Sequence, residues 1–263
     1  MQLDISFIVP VRHGNDVLKE TLTRLSQALL ETQKSYEILL VPNHDPSDHD
    51  DGTEKLCSQL AFDLPSLRVV PHLGEVGKGA AVKTGMSEAK GRWIFFTDAD
   101  LPYGVECLFE ALKHLEKGAD FVTANRRISG SRFVCSVNVL PLVYRRHRYG
   151  LLFNKVARVL FGIKTLDTQA GFKGFSSPMV RAILRLQTCS GFLADLEYFL
   201  IGMENGFVHK EIPVKFYLYS EKSTVRIFRE AKNSITWFSK LWVRRLFGKY
   251  RLKSKPVRLP ASA

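Results

Sequence analysis

Two carboxylates one residue apart, Asp98-Ala-Asp100, follow directly on the apolar run Trp93-Ile-Phe-Phe-Thr97. A strand ending in such a pair presents both acids on a loop at one edge of a sheet. Hard oxygen ligands at i and i+2 suit one magnesium or manganese ion, and an ion held there offsets the charge that develops as a diphosphate leaves. The plainer alternative is that Asp100 caps the helix that follows Leu101-Pro102. Upstream, Gly74-Glu-Val-Gly-Lys-Gly79 offers close backbone approach and puts Lys78 at a helix start, where an anion is favoured. It is not a Walker A loop, since Gly79 stands where Ser or Thr should hold magnesium; a bare strand-to-helix turn is the competing reading. His209, in an apolar strand, reads as a structural histidine. The stretch from Asn43 to Asp51 is rich in His and Asp but has no metal-ligand spacing, and Pro46 favours a solvated loop.

The elements that must position these groups alternate. Ile5–Val11 is a short apolar run stopped by Arg12-His-Gly-Asn15, a buried strand. Apolar residues at Val17, Leu18, Leu22, Leu25 and Leu29 then have the helical period. Strands follow at Glu37–Val41, Leu67–Val70, Trp93–Thr97 and Asp120–Ala124, with helices around Leu56–Ala61, Ala80–Ala89 and Val105–Leu115. Such strand–helix units predict an α/β fold, a mostly parallel, doubly wound sheet with its ligands at the carboxyl ends of the strands. A last strand-like segment of the body is expected over Val208–Phe216.

At 263 residues, 45% hydrophobic and 24% charged, the chain is one large domain or a domain with an appendage, which excludes wholesale disorder and a collagen-like chain. No apolar run approaches the roughly 20 residues that span a bilayer, and the N-terminus does not read as a signal peptide. Four scattered cysteines fit neither a zinc site nor a disulfide framework and point to a reducing cytoplasm. Net charge is +12, but from Lys222 to Ala263 twelve Lys and Arg face one acid, Glu230. A nearly neutral body over 1–221 therefore carries a basic tail over 222–263, and such a body is not a nucleic-acid-binding domain. In the tail Ile227, Ala231, Ile235, Phe238, Trp242 and Leu246 form one apolar helical stripe. Basic residues around it describe a helix lying on an anionic membrane surface; packing on the body or on a second subunit is the alternative.

The ordered set Gly77-Lys-Gly-Ala-Ala-Val82, Gly85-Met86, Phe95-Phe-Thr-Asp-Ala-Asp-Leu101, Asp167-Thr-Gln-Ala-Gly-Phe-Lys173, Phe192-Leu-Ala-Asp-Leu-Glu197 and Glu211-Ile-Pro-Val214 resembles the family 2 glycosyltransferases of GT-A fold. Within them it looks most like the dolichyl/polyprenyl-phosphate hexosyltransferases, over about residues 5 to 245. The resemblance implies a Rossmann-like catalytic domain and a metal-dependent, inverting transfer of a hexose from a nucleotide-diphosphate sugar. Asp98 and Asp100 match the metal and diphosphate motif; Pro10, Arg12, Asn43, Lys78 and Gly79 fall beside the donor. Arg126, Arg127, Ser131, Arg132, Gln169 and Lys222 match the acceptor side. Asp195 falls where a carboxylate approaches the acceptor, and Asp167-Thr-Gln169 helps wall the site. The bland readings are a solvated Arg126–Arg127 pair, Asp167 capping the turn into Gly171, and Phe172 and Phe175 as core.

The family's usual P-x-Y-N-E after the first strand is here Pro10-Val-Arg-His-Gly-Asn15, and its D-D-G-S after the second is Pro42-Asn-His-Asp45. Both belong to recognition of base and ribose, so the diphosphate half of the motif set is intact and the base half altered. Three functions follow as expectations. The first is transfer to a polyprenyl phosphate at the cytoplasmic face of a membrane. The second is transfer to a hydroxyl of a glycan or small molecule with Asp195 as base. The third is a non-catalytic nucleotide-sugar-binding protein.

Overall fold

The computed structural model describes residues 3–14, 17–44, 52–137, 140–218 and 227–254. Its first half follows the predicted alternation: β1 (Ile5–Val11), α1 (Leu18–Glu31), β2 (Tyr36–Pro42), α2 (Thr53–Asp63), β3 (Leu67–Val69), α3 (Lys78–Glu88), β4 (Trp93–Phe96), α4 (Glu106–Glu116) and β5 (Phe121–Asn125). Then come β6 (Arg132–Cys135), α5 (Leu140–Phe161), β7 (Lys173–Ser176), α6 (Ser177–Leu186), α7 (Ala194–Glu204), β8 (His209–Pro213), β9 (Lys215–Leu218) and α8 (Ile227–Leu246).

Seven strands form one sheet in the order β3-β2-β1-β4-β7-β5-β8, all parallel except β7. Its strands β1, β2 and β4 are predominantly apolar because both faces are covered. Side chains of Phe7, Val9, Ile38, Leu40 and Phe95 enter the core under α1, α2 and α4. Their neighbours Ile8, Leu39, Val41, Ile94 and Phe96 enter the opposite core with α3, α6 and α7. Because β1 lies between β2 and β4, the chain reverses direction of travel across the sheet there. The crevice beyond the carboxyl ends of β1 and β4 is the ligand position of such sheets.

Two features depart from the expected pattern. Antiparallel β7 sits between β4 and β5, pairing Phe96 with Lys173, so its amino end and the preceding Asp167–Gly171 reach the edge where the parallel strands finish. The single segment expected over Val208–Phe216 is two strands: β8 continues the main sheet, while β9 pairs with β6 in a separate two-stranded sheet. Val214, between them, spends its carbonyl on Arg132 N–H and its N–H on Ser131 Oγ.

Among the described side chains of α8, Phe238 and Leu241 are buried, with Tyr250 beyond the helix, whereas Trp242 and Leu246 of the predicted stripe are 44% and 64% exposed; the side chains of Ile227, Ala231 and Ile235 lie outside the described residues. Phe238 packs on Phe153 and Phe161 of α5. Arg245 donates to Glu204 at 2.8 Å and to the Phe161 carbonyl at 2.6 Å. Part of the tail's charge therefore fastens it to the body. No helix is long and apolar enough to cross a membrane among the described residues.

Candidate active site

Asp98 and Asp100 lie on the turn leaving β4. Leu101 N–H donates to the Asp98 carbonyl at 3.1 Å, and Leu101 takes a left-handed φ of 44°, rare for a branched side chain. The Thr21 hydroxyl of α1 donates to the Ala99 carbonyl at 2.6 Å. Asp100 is not a helix cap, since α4 starts at Glu106 with Val105 at its N-cap. Its side chain is exposed to the crevice; partial burial of the carboxyl and the neighbouring Asp98 charge raise it above the usual carboxylate range.

Asp98 is half-buried and meets the Lys78 ammonium at 2.5 Å. A Cβ on Gly171 would overlap its carboxylate, so only glycine lets the segment entering β7 lie against it. Burial depresses the Lys78 ammonium, but the carboxylates of Asp98 and Asp195 outweigh it and hold the cation above its ordinary pKa. Asp195, in the first turn of α7, is buried and paired with the fully buried Lys173 at 2.7 Å. Lys173 also donates to the Ala170 carbonyl. Its pKa is lowered, because burial exceeds the support it draws from Asp195. Both ammonium groups stand over the Phe96 ring, at 5.5 and 5.6 Å. The cluster thus alternates in sign from Asp98 through Lys78 and Asp195 to Lys173.

The other expected donor residues sit at the same edge. Pro10 lies near the end of β1, and Arg12 and Asn43 directly follow β1 and β2. Asn43 N–H donates to the Val11 carbonyl at 2.8 Å and its Oδ1 accepts from Gly77 N–H at 3.2 Å, so this buried amide braces the glycine loop. Gly79 is buried against Ala194, which gives its missing side chain a packing reason. Asn15 and residues 45–51 lie outside the described residues, as does Lys222.

On the acceptor side the structure changes several expected roles. Arg126 is neither free nor part of a solvated pair: its Nε and Nη2 each donate to Asp167 at 2.8 Å, and its guanidinium stacks on Phe216 at 5.2 Å. Asp167 is correspondingly not a turn cap; burial alone would raise its carboxyl, and Arg126 brings it below the usual range. The Ser131 hydroxyl is occupied twice, donating to the Asn125 carbonyl and accepting from Val214 N–H. Arg127 is half-buried, with its guanidinium beside Gly150 of α5, and Arg132 is exposed on β6. Thr168 bonds Asn154 of α5 through both N–H and hydroxyl. The neighbouring Gln169 Nε2 is buried without a hydrogen-bond partner among the described residues.

Sequence reasoning missed Lys173 as a site residue, although it ends the Asp167–Lys173 motif, and Tyr103, whose hydroxyl accepts from Gly171 N–H at 2.8 Å. It also missed the outer face of α5, where Tyr144, Arg148, Leu152, Lys155 and Val159 are exposed at helical spacing. The helix carries five Lys and Arg and no acid.

A doubly wound sheet with paired carboxylates at its switch point and an antiparallel strand beside them is the arrangement of the GT-A fold. The chain belongs to glycosyl transferase family 2, whose family model matches residues 6–183, and it is an enzyme of that family. It is 28% identical over 222 residues to a dolichyl-phosphate beta-glucosyltransferase of Trichomonas vaginalis, covering 80% of this chain and 63% of that one. The dolichyl-phosphate beta-glucosyltransferase of Saccharomyces cerevisiae is 24% identical, over 82% of this chain and 67% of its own. The chain thus spans about two thirds of these relatives' length. A polyprenol monophosphomannose synthase of Mycolicibacterium smegmatis is 27% identical over 80% of the chain and 76% of its own length. Among solved structures, mannosyl-3-phosphoglycerate synthase from Rubrobacter xylanophilus shares the fold at a TM-score of 0.61 and 18% identity, covering 96% of this chain and 77% of that one.

Proposed function

We propose that this glycosyltransferase moves a hexose from a nucleotide-diphosphate sugar to a polyprenyl phosphate, with inversion, at the cytoplasmic face of a membrane. The observation that carries the donor half is the Lys78–Asp98 pair with Asp100 exposed beside it in the β1–β4 crevice. The names of the relatives, dolichyl-phosphate and polyprenol transferases, support the acceptor half.

Magnesium or manganese fits these residues: Asp98 and Asp100 would hold it through hard oxygens. No group of three His, Cys, Asp or Glu able to hold a metal exists among the described residues, so the remaining ligands would come from the diphosphate and water. A glucosyl-3-phosphoglycerate synthase from Mycobacterium tuberculosis, of similar fold at TM-score 0.57 and 15% identity over 96% of this chain and 80% of that one, was solved with Mn2+ and uridine-diphosphate. When bound, such an ion lends positive charge to the leaving diphosphate.

Lys78 adds its own charge at that end, fixed by Asp98. Arg127 and Arg132 supply cations toward the acceptor phosphate, while Arg126, locked by Asp167, holds the wall in which Gln169 Nε2 is free to donate to a ligand oxygen. The family resemblance adds Lys222, which lies outside the described residues, to this set. A phosphate monoester, with its second pKa near about 6, is largely dianionic at neutral pH and attacks without a general base. That agrees with an Asp195 committed to Lys173. The exposed Leu152, Val159, Trp242, Leu246 and Phe247, with the cations around them, form the surface that meets an anionic membrane.

A second reading, a hydroxyl acceptor with Asp195 as base, is favoured by one observation: the Asp195 charge reaches Lys78 and so belongs to the same cluster. The discriminating experiment is Asp195→Asn, assayed with a panel of sugar nucleotides and polyprenyl phosphate. Transfer should fall less than about tenfold. A loss of about 100-fold or more, with disappearance of the acid limb of the pH–rate profile, would assign Asp195 as base and overturn the lipid-phosphate reading.

A further inference from the structure

Residues 187–191, between α6 and α7, form a strap across the first turn of α3. Ala80 N–H donates to the Ser190 carbonyl at 2.9 Å, Gln187 Nε2 to the Gly79 carbonyl at 3.0 Å, and Lys83 Nζ to the Gln187 carbonyl at 2.9 Å. Gly77 has φ +155° and lies so near Ser190 that a Cβ would overlap the Ser190 carbonyl. The backbone on both sides of Lys78 is therefore set by the strap.

Behind the strap lies Glu197, fully buried. A buried carboxylate is costly unless its lone pairs are filled. Here they accept from Thr188 N–H at 2.9 and 3.0 Å, Thr188 Oγ1 at 2.9 Å, Cys189 N–H at 2.8 Å and Tyr250 Oη at 2.8 Å. Three of the four donor groups belong to the strap. The fourth comes from the C-terminal segment beyond α8, where Tyr250 is fully buried. Arg244 stacks on the Tyr250 ring at 5.3 Å and donates to the Leu186 carbonyl, where the strap begins, at 3.2 Å.

We infer that Tyr250, acting through Glu197, is a positioning residue for the nucleoside-diphosphate end of the donor. The C-terminal segment clamps the strap, and the strap fixes Lys78 against Asp98. This rests on the reading of the Lys78–Asp98 edge as the donor site. The tail is on this account part of the donor-binding apparatus, 53 residues along the chain from the carboxylate it completes.

The test uses the full chain with Tyr250→Phe, which keeps the ring and removes one donor. Arg251→Gln is the control, because Arg251 fastens the same segment to Glu204 at 3.0 Å without touching the strap. Tyr250→Phe should raise the donor KM about fivefold or more, since a hydrogen bond to a charged group is at stake, with kcat and the acceptor KM within about twofold. Amide exchange should quicken at Thr188, Cys189 and Ala80 but not in β1. Arg251→Gln should leave the donor KM unchanged, and Thr188→Val should move it in the same direction as Tyr250→Phe. An unchanged donor KM in folded Tyr250→Phe, or an equal rise in Arg251→Gln, overturns the inference. Should Tyr250→Phe not fold, an unchanged donor KM in Thr188→Val overturns it instead. If the wild type binds no nucleotide, the donor reading fails by itself. Exchange at Ala80 then still decides the clamp, and unaltered exchange in Tyr250→Phe overturns it.

Discussion

Around Asp98, four charged side chains neutralise one another in a cluster that includes the fully buried Lys173 and nearly buried Asp195. On the far side of the Asp167–Gln169 wall, α5 turns outward Arg148, Lys155 and Arg158 together with Tyr144, Leu152 and Val159, on a helix that has no acid in its sequence. The first arrangement is what a small, highly charged ligand requires: opposed charges whose positions are fixed before it arrives. The second suits a partner that is apolar, anionic and broad. One fold thus holds a rigid electrostatic centre and an amphipathic surface, joined through Thr168 and Asn154.

The largest effect should come from unbalancing the buried cluster. Lys173→Met leaves Asp195 buried without its cation and should cost about 3–5 kcal/mol of stability, read as a shift in the denaturant midpoint. A loss under about 1 kcal/mol would mean that water already reaches this pair. The opposite region should respond in the opposite way. Leu246→Glu with Phe247→Glu should leave stability nearly unchanged, since these side chains are 64% and 75% exposed. Binding to vesicles containing phosphatidylserine should nonetheless fall at least about tenfold, since two apolar anchors are lost and two negative charges gained. Unchanged vesicle binding would remove this end of α8 from the proposed membrane face.

The parallel half of the sheet was legible because β1, β2 and β4 are short, mostly apolar runs and α1 keeps a 3.6-residue apolar period. Asp98, Asp100 and Lys78 were legible from the order of their motifs. Antiparallel β7 was not: Lys-Gly-Phe-Ser has no alternation, and a lysine as a fully buried strand residue contradicts every compositional expectation. The break between β8 and β9 depends on Val214 pairing with residues 131 and 132, a contact more than 80 positions away in the chain. Of the apolar stripe read in α8, Phe238 is buried while Trp242 and Leu246 are exposed, and Leu241, off that stripe, is buried beside Phe238. That orientation is set by Phe153 and Phe161 of a helix the sequence pattern did not reveal. Arg126 shows the same limit in the site, since its type and position were evident and its capture by Asp167 was not.

His209 offers a smaller and cleaner probe of how dry the sheet's cluster side is. Packed against the tilted ring of Phe121 and edge-on to Phe199, and bonded to Thr123, it is depressed by burial, with help from Lys173 and Lys210, to a pKa of about 4. A neutral imidazole in the folded state against an ordinary one near about 6.5 in the unfolded chain means that the unfolded state binds more protons between those values. Its contribution to stability is therefore fully present above the upper value and is lost as pH falls toward the lower. The wild type should lose about 1 kcal/mol from this group between pH 6 and 5, and His209→Gln should lose correspondingly less across the same interval. Parallel curves for the two proteins would show that the imidazole is solvated.

The central claim, that Asp98 and Asp100 form the diphosphate end of a donor site, is tested most directly by thermal-shift binding. Nucleoside diphosphates and sugar nucleotides would be titrated with and without manganese on wild type and Asp100→Asn. At about 100 times its Kd a ligand stabilises the fold by about 2.7 kcal/mol. The predicted result is a manganese-dependent upward shift with at least one sugar nucleotide, abolished in Asp100→Asn. A shift that is the same without manganese and survives in Asp100→Asn would contradict it, as would no shift with any nucleotide.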